Sequence, residues 1–357
     1  MLHTSLLIVT VSVSKRLWPP GLPLAIEEGS HYYQLTARAL CGHTGLSKGI
    51  NNLYSMTIFA FLSGILLTWL VMSGLLSQLI SLIVNIWWPP SNGERGMLAD
   101  QWLLNSGVST SSGWRLIGYW RETSDYGHAC SELAGLLADK ACLSNQDKVL
   151  DVGFSSNDQL LVWLDYYQVD SLTALAETEQ LLAGAQDQCD HYDQLKLVRG
   201  HELELAKLEA DSFDKLLALD CAYQFDNKSR FFNNARKVLK DGGSLTLTDM
   251  ILSRPFRNPM ERRMVNLLAR PCGISVKGLM VRQKYEFHLK EAGFEKVECL
   301  DISQDVLSGF CFWFSQHYRQ LSPVTRPKVW IRLRLLVWFI RWMQHRGLLE
   351  YHVISAR

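Results

Sequence analysis

No charged residue occurs between Gly49 and Gly93 of this 357-residue chain, and nothing else in the sequence restricts its folding so strongly. Inside that window, Leu53 to Trp88 is dominated by Leu, Ile, Val, Phe, Met and Trp. A membrane-spanning helix needs about 20 such residues. The run is longer than one span and short for two spans with a turn. Ser73, Gly74, Ser77 and Gln78 fall near its middle. The pattern predicts a transmembrane and interfacial segment over 53–90: a spanning helix at 53–75, then a helix that stops at Trp87-Trp88-Pro89-Pro90. A re-entrant hairpin and a buried core helix are the alternatives. Arg38, Lys48 and Arg95 are too sparse to set its orientation. Residues 1–52 hold Pro19, Pro20, Gly21 and Pro23 and read as a poorly ordered N-terminal region.

Composition removes several function classes. Lys and Arg total 36 against 35 Asp and Glu, so the chain is no global polycation and no nucleic-acid partner is expected. Hydrophobic residues are 48% of the chain, which excludes wholesale disorder. Eight cysteines form no C-x-x-C pair and no Cys/His group with zinc spacing, so no metal site is expected. The 12 tryptophans are more than such a chain ordinarily carries. Trp330, Trp338 and Trp342 lie in a basic apolar stretch, 326–346, where Arg334, Arg341 and His345 share one helical face. That reads as an amphipathic membrane-surface helix. A terminal helix packed on the domain, or one that binds a partner, has the same pattern.

From about Trp114 the texture is α/β. Strands are expected at 148–153, 171–176, 195–199, 213–219 and 244–248, with helices between them. Such alternation indicates a parallel sheet covered on both faces. The chemistry-bearing pieces sit at strand ends. Asp151-Val-Gly153 closes the first strand, where a tight turn lets backbone amides approach a ligand. Phe213-Asp214 to Asp220-Cys-Ala-Tyr-Gln224-Phe is a strand with an acid at each end. Arg236-Lys-Val-Leu-Lys-Asp-Gly-Gly243-Ser-Leu is a helix end, a turn and a strand start; Ala292-Gly-Phe294 follows a later helix.

In this order the pieces V-L-D-x-G, F-D-x-x-x-x-L-D with A-Y-x-F, R-x-L-K-x-G-G-x-L and A-G-F resemble class I S-adenosylmethionine-dependent methyltransferases. The similarity is greatest to the small-molecule branch with sterol, tocopherol and sarcosine/dimethylglycine methyltransferases, and it covers about 113–315. It implies a Rossmann-like, mostly parallel sheet of seven strands, in a domain over 113–325 with a substrate lid at 255–281. It implies S-adenosyl-L-methionine as cofactor. Asp151 and Gly153 would meet its methionine end, and the turn with Ser155 and Asn157 its carboxylate and sugar. Tyr119 would fold over it. Asp220, Ala222, Tyr223 and Gln224 would flank the methyl-transfer pocket.

Departures from the family pattern are specific. Its later turn glycines align with Ser155 and Asn157; its ribose acid aligns with Ala176, with Glu177 next. Its acid near the adenine aligns with His201, with Glu202 next, and a frequent His is Gln224. A one-residue shift would bring Glu177 and Glu202 into use. The expectation is methyl transfer to a small lipid or isoprenoid-like acceptor at a membrane surface, with the domain facing the cytoplasm. The alternative is a catalytically degenerate methyltransferase fold acting as a membrane-bound scaffold.

Overall fold

Lys148–Val152 (β1) is buried from its second residue onward, as expected of a strand covered on both faces. It is the centre of a sheet that a computed structural model describes, together with residues 56–65, 68, 101–106, 113–322 and 330–357 overall. β1 pairs in parallel with β2 (Ser171–Ala176) and β4 (Phe213–Ala218). β2 pairs in parallel with β3 (Leu195–Arg199), and β4 with β5 (Leu239–Leu252). β7 (Leu349–Ala356) lies antiparallel between β5 and β6 (Val297–Asp301). The order is β3-β2-β1-β4-β5-β7-β6, so the expected seven-stranded, mostly parallel architecture is present. The order reverses between β1 and β4, the place where open α/β sheets bind ligands.

Helices begin where capping residues allow. α1 (Tyr126–Ala141) is capped by Asp125, which accepts from His128 N at 2.8 Å. α2 (Asn157–Leu161) continues into a π turn, Val162–Tyr166. α3 (Glu179–Cys189) is capped by Thr178 and α4 (Lys228–Val238) by Asn227. α5 (Pro259–Ala269) has Asn258 as its cap and a proline in its first turn, where the missing N–H costs nothing. α6 (Arg282–Glu291) and α7 (Gly309–Leu321) follow.

The tail corrects the sequence reading. α8 (Ile331–His345) is not a membrane-surface helix by its apolar face. Trp330, Leu333, Phe339, Ile340 and Met343 are fully buried in the main core. Trp330 meets Phe314, Tyr318 and His317 edge-on, and Arg341 donates to Cys311 O and Ser315 Oγ of α7 at 2.8 and 2.7 Å. Arg334, Trp338 and His345 stay on the exposed side. An apolar stripe is satisfied equally by lipid or by a protein core, and the period alone does not distinguish them. The boundary at 325 is likewise corrected, because α8 leads into β7, which completes the sheet. Leu349, Tyr351 and Val353 point into one core cluster, Ile354 and Ala356 into the other, as strand alternation requires.

Contact clustering divides the chain into Met1–Leu79 and Ile80–Arg357. In the first unit residues 56–65 are helical, and Met56, Phe59 and Phe61 are exposed. Thr68 is helical as well, and the other residues of the proposed 53–90 segment and all of 1–52 lie outside the described residues. Among the described residues no helix is long and apolar enough to cross a membrane.

Candidate active site

A cavity opens at the carboxyl ends of β1, β2, β3 and β4. Gly153, Ser155, Glu177, Glu202, Asp220, Tyr223 and Gln224 line it, which unites seven of the residues singled out in the sequence. Gly153 forms its floor with φ +79°, and its N–H donates to Leu175 O at 2.9 Å. A Cβ there would come within 3.0 Å of Cys221 Sγ. Positive φ and close approach both call for glycine. Asn157 is the first residue of α2 and not left-handed, so the turn needs only Gly153 in that conformation. Its Nδ2 donates to Gly184 O and Gln188 Oε1, both at 2.9 Å, tying α2 to α3. Asn157 borders a second, polar cavity, which shares Arg115 and Ser155 with the first.

Asp151 does not reach the cavity. It is fully buried beneath the turn, where Oδ2 accepts from Gln159 Nε2 and Trp163 Nε1 at 2.7 Å each. Burial pushes its carboxyl up to about 6, against the pull of those two donors. Its Oδ1 and the Ser155 hydroxyl are buried without a partner. Tyr119 also stays outside: its N–H donates to Ala129 O at 2.8 Å, and the residues of its segment that line the cavity are Arg115 and Ile117. Ala222 is buried behind the lining.

The two alternative acids are where a one-residue shift puts them. Ala176 and Glu177 both line the cavity after β2, and His201 and Glu202 both line it after β3. His201 Nδ1 accepts from Leu203 N at 3.2 Å, with Glu202 Oε2 3.6 Å away. The site therefore keeps a carboxylate at each of two strand ends despite the substitutions.

Asp220 follows β4 with φ +51°, a left-handed conformation that Asp tolerates better than most residues. Its N–H donates to Thr248 Oγ1 at 2.7 Å. Its Oδ2 accepts from Ile117 N at 2.7 Å and its Oδ1 from Tyr351 OH at 2.6 Å. Burial raises its carboxyl to about 7, opposed by those two donors and aided by Asp249. Asp249 faces the other side of the sheet and is paired with Lys228, while Tyr285 OH donates to it at 2.9 Å. Tyr223 is buried, and its carbonyl accepts from Ser275 N at 2.8 Å. Burial keeps the Tyr223 phenol far above its usual range, so it stays neutral.

The remaining wall is apolar: Ile117, Met250, Cys272, Ile274 and Leu336. Leu336 comes from α8 and Tyr351 from β7, elements that the sequence reading had placed outside the domain. The signal for Tyr351 was the alternation of Leu349, Tyr351 and Val353 beside β-branched residues.

Residues 150–247 match the family model of a methyltransferase domain. The chain is 27% identical over 259 residues to an erythromycin 3''-O-methyltransferase from Saccharopolyspora erythraea, covering 70% of this chain and 83% of that one. It is 27% identical over 191 residues to a 27-O-demethylrifamycin SV methyltransferase from Amycolatopsis mediterranei, covering 52% and 68%. In fold it is similar to a geranyl diphosphate C-methyltransferase from Streptomyces coelicolor, with TM-score 0.56, 11% identity and coverage of 74% and 94%.

Proposed function

We propose that this chain is a class I S-adenosylmethionine-dependent methyltransferase and that it methylates a hydroxyl of an apolar small molecule, lipid or isoprenoid-like. The observation that supports this most is Asp220. It is a buried carboxylate poised near neutrality, in the same cavity as the Gly153 turn and the acids Glu177 and Glu202. Both curated relatives carry names that mark transfer to oxygen, and an oxygen nucleophile has a proton to lose.

The cavity suits the cofactor. Glycine at 153 leaves room for close approach, the unpartnered Ser155 hydroxyl borders the same space, and acids end β2 and β3. Gly153 and Ser155 would hold its methionine part, and Glu177 and Glu202 its ribose and adenine. When bound, the cofactor supplies an electrophilic methyl on a sulfonium centre. Asp220 takes the acceptor's hydroxyl proton onto its carboxylate, since a base works best when its pKa lies near the working pH. Gln224 has no titratable group and orients by hydrogen bonding. Ile117, Met250, Ile274 and Leu336 exclude water and make the acceptor's surroundings apolar. Residues 255–281 act as the lid. Ser275 N is bonded to Tyr223 O, and Gly278 lies against Phe225 O so closely that a Cβ would come within 2.2 Å. The uncharged stretch 49–93 would bring the domain to the membrane that holds the acceptor, on its cytoplasmic side.

The scaffold alternative rested on four departures, at Ser155, Asn157, Ala176 and His201; Glu177 and Glu202 line the cavity beside the last two. The test is label transfer. Membranes supplied with methyl-labelled S-adenosylmethionine are expected to accumulate solvent-extractable label only when the protein is present. Label confined to water-soluble products would overturn the apolar acceptor.

A further inference from the structure

Tyr351 stands one strand removed from the residues that the motifs identify, yet its phenol reaches the carboxylate at the centre of the site. It is fully buried on β7, opposite Met250. A phenol has one proton to give. Tyr351 spends it on Asp220 Oδ1, the shorter of its two contacts at 2.6 Å. The phenol also lies 3.0 Å from Thr248 Oγ1, the second acceptor within its reach. Thr248 in turn accepts the Asp220 N–H at 2.7 Å. The three residues are therefore tied together: Asp220 N–H donates to Thr248 Oγ1, and the Tyr351 phenol reaches both Asp220 Oδ1 and Thr248 Oγ1. We propose that Tyr351 is the positioning residue for Asp220, holding its carboxylate toward the cavity and favouring its ionised form. The proposal rests on Asp220 being the proton acceptor.

Among the described residues, the Ile117 N–H is the other group that favours the ionised carboxylate, and no neighbouring side chain besides Tyr351 does so. On α1, burial keeps Tyr126 and Cys130 neutral. After β4, it does the same for Cys221 and Tyr223. On β5, Asp249 is neutralised by Lys228. The segment before α1 offers the Ile117 N–H alone. Tyr351 itself is held neutral by burial and by the Asp220 charge.

The readout needs no acceptor. Calorimetric affinity for S-adenosylmethionine is measured from pH 5.5 to 9, with Asp220→Asn to assign any step. In the native chain affinity is expected to rise as Asp220 ionises, with a midpoint near the value of about 7 set by its surroundings. Tyr351→Phe removes one hydrogen bond to a charged group, so the midpoint should move up by about one to two pH units. Affinity at pH 9 should return to within about twofold of native, since both forms are then ionised. Replacing Tyr351 with 3-fluorotyrosine keeps the ring and strengthens the donor, so the midpoint should move down; this arm serves if the phenylalanine variant does not fold. A purely structural tyrosine would lower affinity by one factor at every pH. A midpoint that stays put in both variants while Asp220→Asn abolishes the step overturns the role of Tyr351 alone. A step that survives in Asp220→Asn overturns the role of Asp220, and that of Tyr351 with it.

Discussion

Asp220→Asn should lower the rate of methyl-label incorporation by about a hundredfold to ten-thousandfold, the range for losing a positioned general base. The same substitution should make the protein more stable at pH 8. Native Asp220 holds its proton up to about pH 7, whereas in the unfolded chain an aspartate loses it near 3.9. Between those values the native state binds a proton that the unfolded state does not. The stabilisation linked to that proton is complete below about pH 4 and fades as pH rises through about 7. Asn resembles the neutral form and does not suffer the loss. Its amide faces the Ile117 N–H, which offsets part of the gain. A net gain of about 2 kcal/mol at pH 8, absent at pH 4, is expected from denaturant unfolding. Incorporation within tenfold of native, or equal stability changes at both pH values, would contradict this reading of the carboxylate.

Removing residues 326–357 should abolish cooperative folding. The truncation deletes α8 and β7. It strips β5 of its partner from Leu245 to Leu252 and leaves β6 without any. It also removes Trp330, Leu333, Phe339, Ile340, Met343, Tyr351 and Ile354 from the core. Each large buried side chain contributes about 1.5–3 kcal/mol, so the seven together, about 10–20 kcal/mol, match or exceed the roughly 5–15 kcal/mol by which a domain is stable. The exposed edge of β5 would then invite aggregation. Circular dichroism should show no cooperative transition, and no soluble monomer should be recovered. A truncated chain that melts cooperatively would restore the view of 326–346 as an appended membrane helix.

Four of the five parallel strands were legible because each is a short apolar run between turn residues, whereas β5 runs from Leu239 to Leu252 around the expected 244–248. β2 and β3 fall on the residues expected, and β1 and β4 differ by one at their ends. The cavity residues Gly153, Asp220 and Tyr223 were legible because they sit at strand ends, where sequence order fixes position. Asp151, read as a cofactor contact, is not among the residues that line the cavity. Its Oδ2 is held instead by Gln159 and Trp163, contacts that the strand pattern does not reveal. α8 was misread because its Arg and Trp content suits a bilayer as well as a core. That error hid β7 and with it Tyr351, whose role depends on a contact across 131 residues of chain. Leu336 was hidden for the same reason.

We propose that Gly153, Glu177 and Glu202 frame a cofactor site although Ser155, Asn157, Ala176 and His201 depart from the family pattern. Titration of S-adenosylmethionine into the detergent-solubilised chain tests it most directly. The account predicts saturable binding in the micromolar range. It predicts a loss of about tenfold to a hundredfold in Glu177→Gln, the effect of losing a hydrogen bond to a charged group. Binding that is absent at millimolar cofactor, or unchanged in Glu177→Gln and Glu202→Gln alike, would contradict it.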